Sequence, residues 1–253
     1  MIHLDAARLL VVAAAALIAG AVNAVAGGGT LLSFPALLLL GFPPLTANVT
    51  NTLGLLSGYA GGSVAYRAEL SVQRERVQFL GPISIAGAVV GAVLLTRTSN
   101  SVFAAVVPWL ILLACALLLL QPLVTSRVAR RRPDHEQHRS PLLAAAQFLA
   151  GVYGAFFGAA LGVMMLAVLG LFIRDDLQRI NALKGLLSLT INVVAAIYFA
   201  FFGPVSWLAV LVMVPMSAVG GFIGVTAARR LHPVVLRTVV VVLGVAFALH
   251  ELL

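Results

Sequence analysis

Charged residues are scarce in this 253-residue chain, where Asp, Glu, Lys and Arg together make up 9% of the sequence, against roughly 25% in soluble domains. Hydrophobic residues make up 62%, and the mean hydropathy is +1.09. Apolar runs recur along the whole chain, and runs of about 20 residues are long enough to cross ~30 Å of hydrocarbon as helix. The composition therefore excludes an ordinary soluble domain and predicts an all-α polytopic membrane protein embedded in the lipid bilayer.

Carboxylates are rarer still, and all eight lie in or beside predicted loops: Asp5, Glu69, Glu75, Asp134, Glu136, Asp175, Asp176 and Glu251. We therefore expect no carboxylate in mid-membrane, where it would repel an anion or relay protons. The single cysteine, Cys115, excludes a disulfide framework. The net charge of +8 does not indicate nucleic acid, because the basic residues lie in short loops between spans.

Catalytic signatures are also absent. The sequence contains no H-E-x-x-H, G-x-S-x-G or G-x-G-D pattern and no P-loop, so nothing indicates a metalloprotease, a serine hydrolase, an intramembrane aspartyl protease or an ATPase. His135 and His138 lack the i, i+4 spacing of a helical zinc pair. We expect no catalytic residue, no metal site and no cofactor.

The helix-breaking and polar residues that are present concentrate between residues 19 and 52. Gly27, Gly28, Gly29 and Thr30 interrupt an apolar run there, although each glycine costs a helix roughly 1 kcal/mol relative to alanine. Backbone can leave the helix inside a membrane only where protein or a wet cavity receives its freed polar groups. Two interpretations stay open, a broken helix at a substrate site or glycines that only permit close helix packing.

Apolar periodicity predicts eight long helices, at 8–26, 46–66, 77–96, 102–122, 141–158, 177–202, 205–226 and 234–252, with shorter pieces at 30–41 and 160–173. The chain also repeats itself. Pro82-x-Ser84-x-x-Gly87-x-x-x-Gly91 recurs 133 residues later as Pro215-x-Ser217-x-x-Gly220-x-x-x-Gly224. We interpret residues 1–122 and 141–253 as two membrane repeats, joined by a basic cytoplasmic linker at 123–140.

Two topologies fit these helices. If each broken stretch forms one span, the halves run parallel and many arginines of the second half fall outside. If each broken stretch enters and returns as a hairpin, the halves are inverted, 14 of the 16 basic residues lie inside and only Arg8 and Arg97 lie outside. The positive-inside rule favours the second topology. It predicts two inverted repeats, each with four long transmembrane helices plus a short re-entrant hairpin piece, and both termini outside.

Four stretches carry a resemblance to a known family: N-A-V-A-G-G-G-T-L-L-S-F-P-A-L-L-L-L-G at 23–41, A-N-V-T-N-T at 47–52, G-A-A-L-G at 158–162 and N-A-L-K-G-L at 181–186. They resemble the TauE/SafE sulfite exporter family, also described as the DUF81 proteins. In the second half, Ala159 and Ala160 replace two of the three glycines. The resemblance implies a plasma-membrane carrier of small anions such as sulfite or organosulfonates, and members of the family differ in substrate.

Amide, hydroxyl and backbone donors near the two broken segments, with one lysine, form our predicted substrate site: Asn23, Gly27, Gly28, Gly29, Thr30, Asn48, Thr50, Asn51, Gly158, Gly162, Asn181, Lys184, Ser188 and Asn192. Lys184 is the only lysine, and it either contacts an anion or extends its ammonium back to the headgroups. The sequence predicts a secondary anion transporter, most simply an exporter that alternates access at the repeat interface, with a membrane scaffold as the alternative. The anion, proton or ion coupling and the oligomeric state stay open.

Overall fold

The computed structural model describes residues 5–25, 28–58, 67–130, 140–227 and 233–252. These residues contain eleven helices whose bounds are described, a further helical segment at 56–58 and no strand. In chain order the helices are α1 (Ala6–Val25), α2 (Thr30–Leu39), α3 (Pro44–Gly54), α4 (Arg67–Ser71), α5 (Arg74–Arg97), α6 (Asn100–Ala129), α7 (Pro141–Phe156), α8 (Leu161–Phe172), α9 (Leu177–Phe202), α10 (Trp207–Ala227) and α11 (Pro233–Leu252).

Five of the described helices, α1, α5, α6, α9 and α10, are long and apolar enough to cross a membrane. This confirms the predicted all-α polytopic fold. The predicted bounds of α9 agree with the structure, where the Asp176 side chain caps the helix by accepting from the Gln178 N–H at 2.8 Å. α6 continues to Ala129 instead of ending at 122, although Pro108 and Pro122 lie inside it.

The predicted continuous helix at 46–66 is interrupted, because α3 ends at Gly54 and the chain is helical again only at 56–58. The Ser217 hydroxyl donates to the Gly54 carbonyl at 2.7 Å, and a Cβ built at Gly54 would lie 2.6 Å from the Met213 Cβ. Contacts with α10 therefore take over the carbonyl at the point where the helix stops. Residues 59–66 lie outside the described part of the chain.

Both predicted interruptions are present, between α1 and α2 and between α7 and α8. At the second one, Gly158 has φ +73° and Ala160 has φ +56°. The left-handed conformation suits glycine but costs an L-residue roughly 1–2 kcal/mol. Ala160 pays this cost where the first half has a glycine-rich sequence, which is consistent with strong tertiary constraint at the second interruption.

The two halves pack together through helix pairs that join one half to the other: α1 packs along α10, and α7 packs along α5. A Cβ built at Gly220 would lie 2.0 Å from the Leu17 carbonyl oxygen, and one built at Gly87 would lie 2.4 Å from the Phe148 carbonyl oxygen. These positions correspond in the repeat, at offsets of 133 and 131 residues. The same glycine-to-backbone contact thus occurs twice.

Contacts at both ends of helix pairs give their relative directions. α5 and α9 run parallel, because Arg76 pairs with Asp175 at their starts and the Thr96 and Tyr198 hydroxyls lie 3.4 Å apart near their ends. α1 and α10 also run parallel, as do α5 and α7, because the contact residues advance together along each pair.

We expect Gly220→Ala to lower the free energy of unfolding by about 1–3 kcal/mol, because its methyl group would overlap the α1 backbone. Gly81→Ala is the matched control, since nothing lies within 4 Å of a Cβ built there. Unfolding of the purified variants in detergent measures the difference. Equal stability of Gly220→Ala and Gly81→Ala would contradict the described packing.

Candidate functional site

The first interruption is held by a side-chain hydrogen bond within its own half. The side-chain Oδ1 of Asn23 accepts from the Gly29 N–H at 2.7 Å. The Nδ2 of the same amide is buried with no hydrogen-bond partner among the described residues. A Cβ at Gly29 would lie 2.1 Å from the Ala19 carbonyl oxygen. A Cβ at Gly28 would meet only the end of the Leu118 side chain at 2.7 Å, so of the two described glycines it is Gly29 whose contact with backbone excludes a side chain. Thr30 begins α2 and is buried, and Gly27 lies outside the described residues.

Asn48 connects the first half to the second interruption. Its Nδ2 donates to the carbonyl of Phe156, the last residue of α7, at 2.9 Å. Its Oδ1 is buried without a partner. The amide therefore satisfies a backbone carbonyl where α7 stops and retains an acceptor of its own.

Thr50 and Asn51 already have partners within the protein. The Thr50 hydroxyl accepts from the Ser206 N–H at 3.0 Å, and the Asn51 Oδ1 accepts from the Ser33 hydroxyl at 2.5 Å. Both residues are buried. These bonds hold α3 against the start of α10 and against α2, which gives both residues a structural role beside the predicted one.

Tyr153 holds the second interruption from within its own half, donating from its hydroxyl to the Ala159 carbonyl at 2.6 Å. Phe157 packs edge-on against Phe34 of α2, with ring centroids 5.5 Å apart. Gly158 supplies the left-handed residue, whereas a Cβ at Gly162 would meet nothing within 4 Å. The second interruption is thus packed against the first half of the chain.

The four predicted residues on α9 form one face, which we call the α9 polar row: Asn181, Lys184, Ser188 and Asn192. At 100° per residue they fall within an arc of about 80° and extend over about 16 Å of helix. The two at the start are half-buried, and Ser188 and Asn192 are each 5% exposed. The row thus leads from the start of the helix into the protein.

Lys184 has a neutral partner, the Asn181 Oδ1, which accepts from its Nζ at 2.9 Å. One turn further along, the Ser188 hydroxyl is buried without a partner. Lys184 and Asn51, which correspond in the repeat, each bond to a residue of their own half. The row combines one cation with a hydroxyl that has no hydrogen-bond partner among the described residues.

The carboxylate of Asp175, which precedes α9, is ion-paired with two arginines. It forms an ion pair with Arg76 of α5 and another with Arg179 at 3.4 Å. The Gln73 Nε2 also donates to the Arg179 carbonyl at 2.9 Å. These contacts tie the starts of α5 and α9 together and engage the Asp175 carboxylate with arginines.

Burial alone would raise the pKa of the Asp175 carboxyl, but hydrogen bonds from Arg76 and the Asp176 N–H, with the charges of Arg76 and Arg179, outweigh it and lower that pKa. A carboxyl with a lowered folded-state pKa stabilises the protein above its unfolded-state pKa. That stabilisation is lost as the pH falls through the folded-state value.

Three functional contacts were missed at the sequence level: Arg76–Asp175, Tyr153–Ala159 and Thr50–Ser206. The carboxylate preceding α9 was a visible signal, but its partner lies 99 residues away. The other two bonds end on backbone groups, which carry no sequence signature.

The sequence model of the sulfite exporter TauE/SafE family matches residues 12–250. A probable membrane transporter protein of a Sinorhizobium species is 29% identical over 240 residues, covering 94% of this chain and 90% of that protein. One from Haemophilus influenzae is 26% identical over 230 residues, covering 90% and 88%. One from Escherichia coli is 28% identical over 218 residues, covering 85% and 77%. No solved structure gives a significant match.

We expect Asp175→Asn to lower stability by about 1–3 kcal/mol at neutral pH, because it leaves Arg76 without its charged partner. The difference in stability from wild type should begin to narrow as the pH falls below ~4, where the carboxyl of the unfolded chain becomes neutral. It should continue to narrow until the pH passes below the lowered pKa of Asp175 in the folded protein. Unfolding in detergent between neutral and acidic pH measures both.

Asp176→Asn is the matched control, since it removes the same charge one residue away and asparagine also caps helices. The free energy of unfolding of Asp176→Asn should remain close to the wild-type value. A pH-independent deficit in Asp175→Asn would contradict the ionic role of Asp175.

Proposed function

This chain belongs to the TauE/SafE sulfite exporter family, and from that premise we propose that it is a secondary carrier of small anions that alternates access between its two halves. Its relatives are named probable membrane transporters, which supports the carrier class. The family description supports sulfur oxyanions, sulfite or organosulfonates, as substrates. The carrier lies in the plasma membrane and works as an exporter.

The hydrogen bond from Asn48 to the Phe156 carbonyl carries this proposal. It joins the first half to the second at the residue where α7 stops. A substrate site at a repeat interface needs interrupted helices whose freed polar groups meet side chains of the other half. The unpartnered Asn48 Oδ1 and Asn23 Nδ2 add buried polar atoms beside the two interruptions.

The helix directions support inverted halves. α1 runs parallel to α10, and both α7 and α9 run parallel to α5. Only residues 203–206 join α9 to α10, so two membrane-crossing helices there run in opposite directions. It follows that α1 and its repeat counterpart α7 are antiparallel. This supports the inverted arrangement over the parallel one.

The membrane potential can supply the driving force for export. An inside-negative potential favours anion exit by roughly 2.3 kcal/mol per charge per 100 mV. None of the five described helices that are long enough to cross a membrane carries a carboxylate beyond its first turn to relay protons. Exit therefore works as uniport, or with a proton or another ion travelling with the substrate.

Reconstituted wild-type protein should carry radiolabelled sulfite or methanesulfonate into or out of proteoliposomes faster than empty vesicles do. Lys184→Gln should weaken anion binding by about tenfold or more, because it removes the charge of the α9 polar row while keeping a slightly shorter side chain with a hydrogen-bonding end. Asn51→Ala should have a smaller effect. Flux and ligand-induced stabilisation of the folded state measure these changes.

If wild-type flux equalled that of empty vesicles for every small anion tested, the result would contradict the carrier proposal and favour a membrane scaffold. Unchanged flux and affinity in folded Lys184→Gln would show instead that the lysine only reaches the headgroups.

We expect both termini outside and the end of α6 in the cytoplasm. In a Cys115→Ala background, Arg130→Cys should react with a membrane-impermeant thiol reagent only after the cells are permeabilised. Ser101→Cys, at the opposite end of the same helix and exposed, should react in intact cells. Labelling of position 130 in intact cells would overturn this orientation.

A further inference from the structure

The elements that pack against α9 leave Lys184 as a solitary charge. α3, α7 and α8 contain no charged residue. The charges of α5 and α6 lie in their terminal turns, at residues 74–76, 97 and 127. α4 carries Arg67 and Glu69 beside the start of α9, where Gln73 bonds to the carbonyls of Glu69 and Arg179.

Three carboxylates lie at or beside the start of α9, on Glu69, Asp175 and Asp176, and among the described residues none of them forms an ion pair with Lys184. Asp175 pairs with two arginines. Lys184 bonds instead to the neutral amide of Asn181. The α9 polar row therefore carries a charge of +1 from its lysine, and no carboxylate in the described part of the chain forms an ion pair with it.

We propose that the transported species is a monoanion with a tetrahedral or pyramidal oxyanion head, bound by Lys184 and Ser188, an inference that rests on the proposed function. One negative charge on the substrate makes the loaded row neutral. A dianion would leave an uncompensated negative charge among the apolar helices, which is strongly disfavoured. A neutral ligand would leave the lysine without its counter-charge.

The donor geometry suits an oxyanion head. Lys184 and Ser188 are four residues apart on one helix face, so their side chains are neighbours. The lysine ammonium has three N–H donors, of which one is used by Asn181. The Ser188 hydroxyl is buried and has no partner. Two oxygens of one head group can therefore be bound at once.

Three probes of similar shape separate charge from size: dimethyl sulfone, methanesulfonate and sulfate, with charges of 0, −1 and −2. Stabilisation of the purified full-length protein by each probe gives its apparent affinity. We expect wild type to bind methanesulfonate about tenfold or more tightly than either of the others. Lys184→Gln should lose this preference.

A gain-of-charge variant makes the test directional. Asn181→Lys adds a second cation to the same row at a half-buried position. It should raise the affinity for sulfate relative to the affinity for methanesulfonate by about tenfold. Arg179→Gln is the matched control, because it removes one positive charge from the same helix but outside the row. It should keep the wild-type order of the three probes.

Each result decides between the two proposals. Sulfate binding equal to or tighter than methanesulfonate in wild type would overturn the monoanion inference and leave the anion carrier standing. An unchanged order of probes in folded Lys184→Gln would also overturn it, since another group would then set the charge. Binding of none of the three probes would count against the anion carrier, and the inference would fall with it.

Discussion

The structure depends on one constraint: backbone groups freed where a membrane helix stops must find partners inside the protein. The Gly29 N–H is taken by Asn23, the Phe156 carbonyl by Asn48 and the Ala159 carbonyl by Tyr153. Two of these bonds are local and one crosses between the halves. A polar interior around the interruptions follows from this requirement, whichever ligand is bound there.

Packing of α1 along α10 and of α7 along α5 joins the halves, so that a side chain of the first half reaches the interruption in the second. Glycines on α5 and α10 let carbonyl groups of α7 and α1 approach so closely that a methyl group would overlap them. In a bilayer such close approach is a main source of helix association, because apolar side chains gain little by leaving lipid. The repeated glycines therefore serve the packing role, and Gly29 serves the same role beside the first interruption.

Most charges of the described helices lie in terminal turns, and Lys184 and Arg237 lie further in. Arg76, Asp175 and Arg179 pair with one another where α5 and α9 begin. Lys184 lies within α9 with only an amide for a partner. Because a charge there is costly without a counter-charge, the lysine is the residue on which both functional proposals converge.

The sequence alone determined the helical membrane class, the two interruptions and the start of α9, since these follow from hydropathy, runs of glycine and capping residues, which act locally. It also contained the repeat that pairs Gly87 with Gly220. Only the tertiary structure decided that α3 stops at Gly54 and that Thr50 and Asn51 form hydrogen bonds within the protein. It also decided that Asp175 pairs with arginines and not with Lys184. Those outcomes depend on partners as far as 163 residues away, and spacing along the chain cannot encode which distant backbone group a side chain will reach.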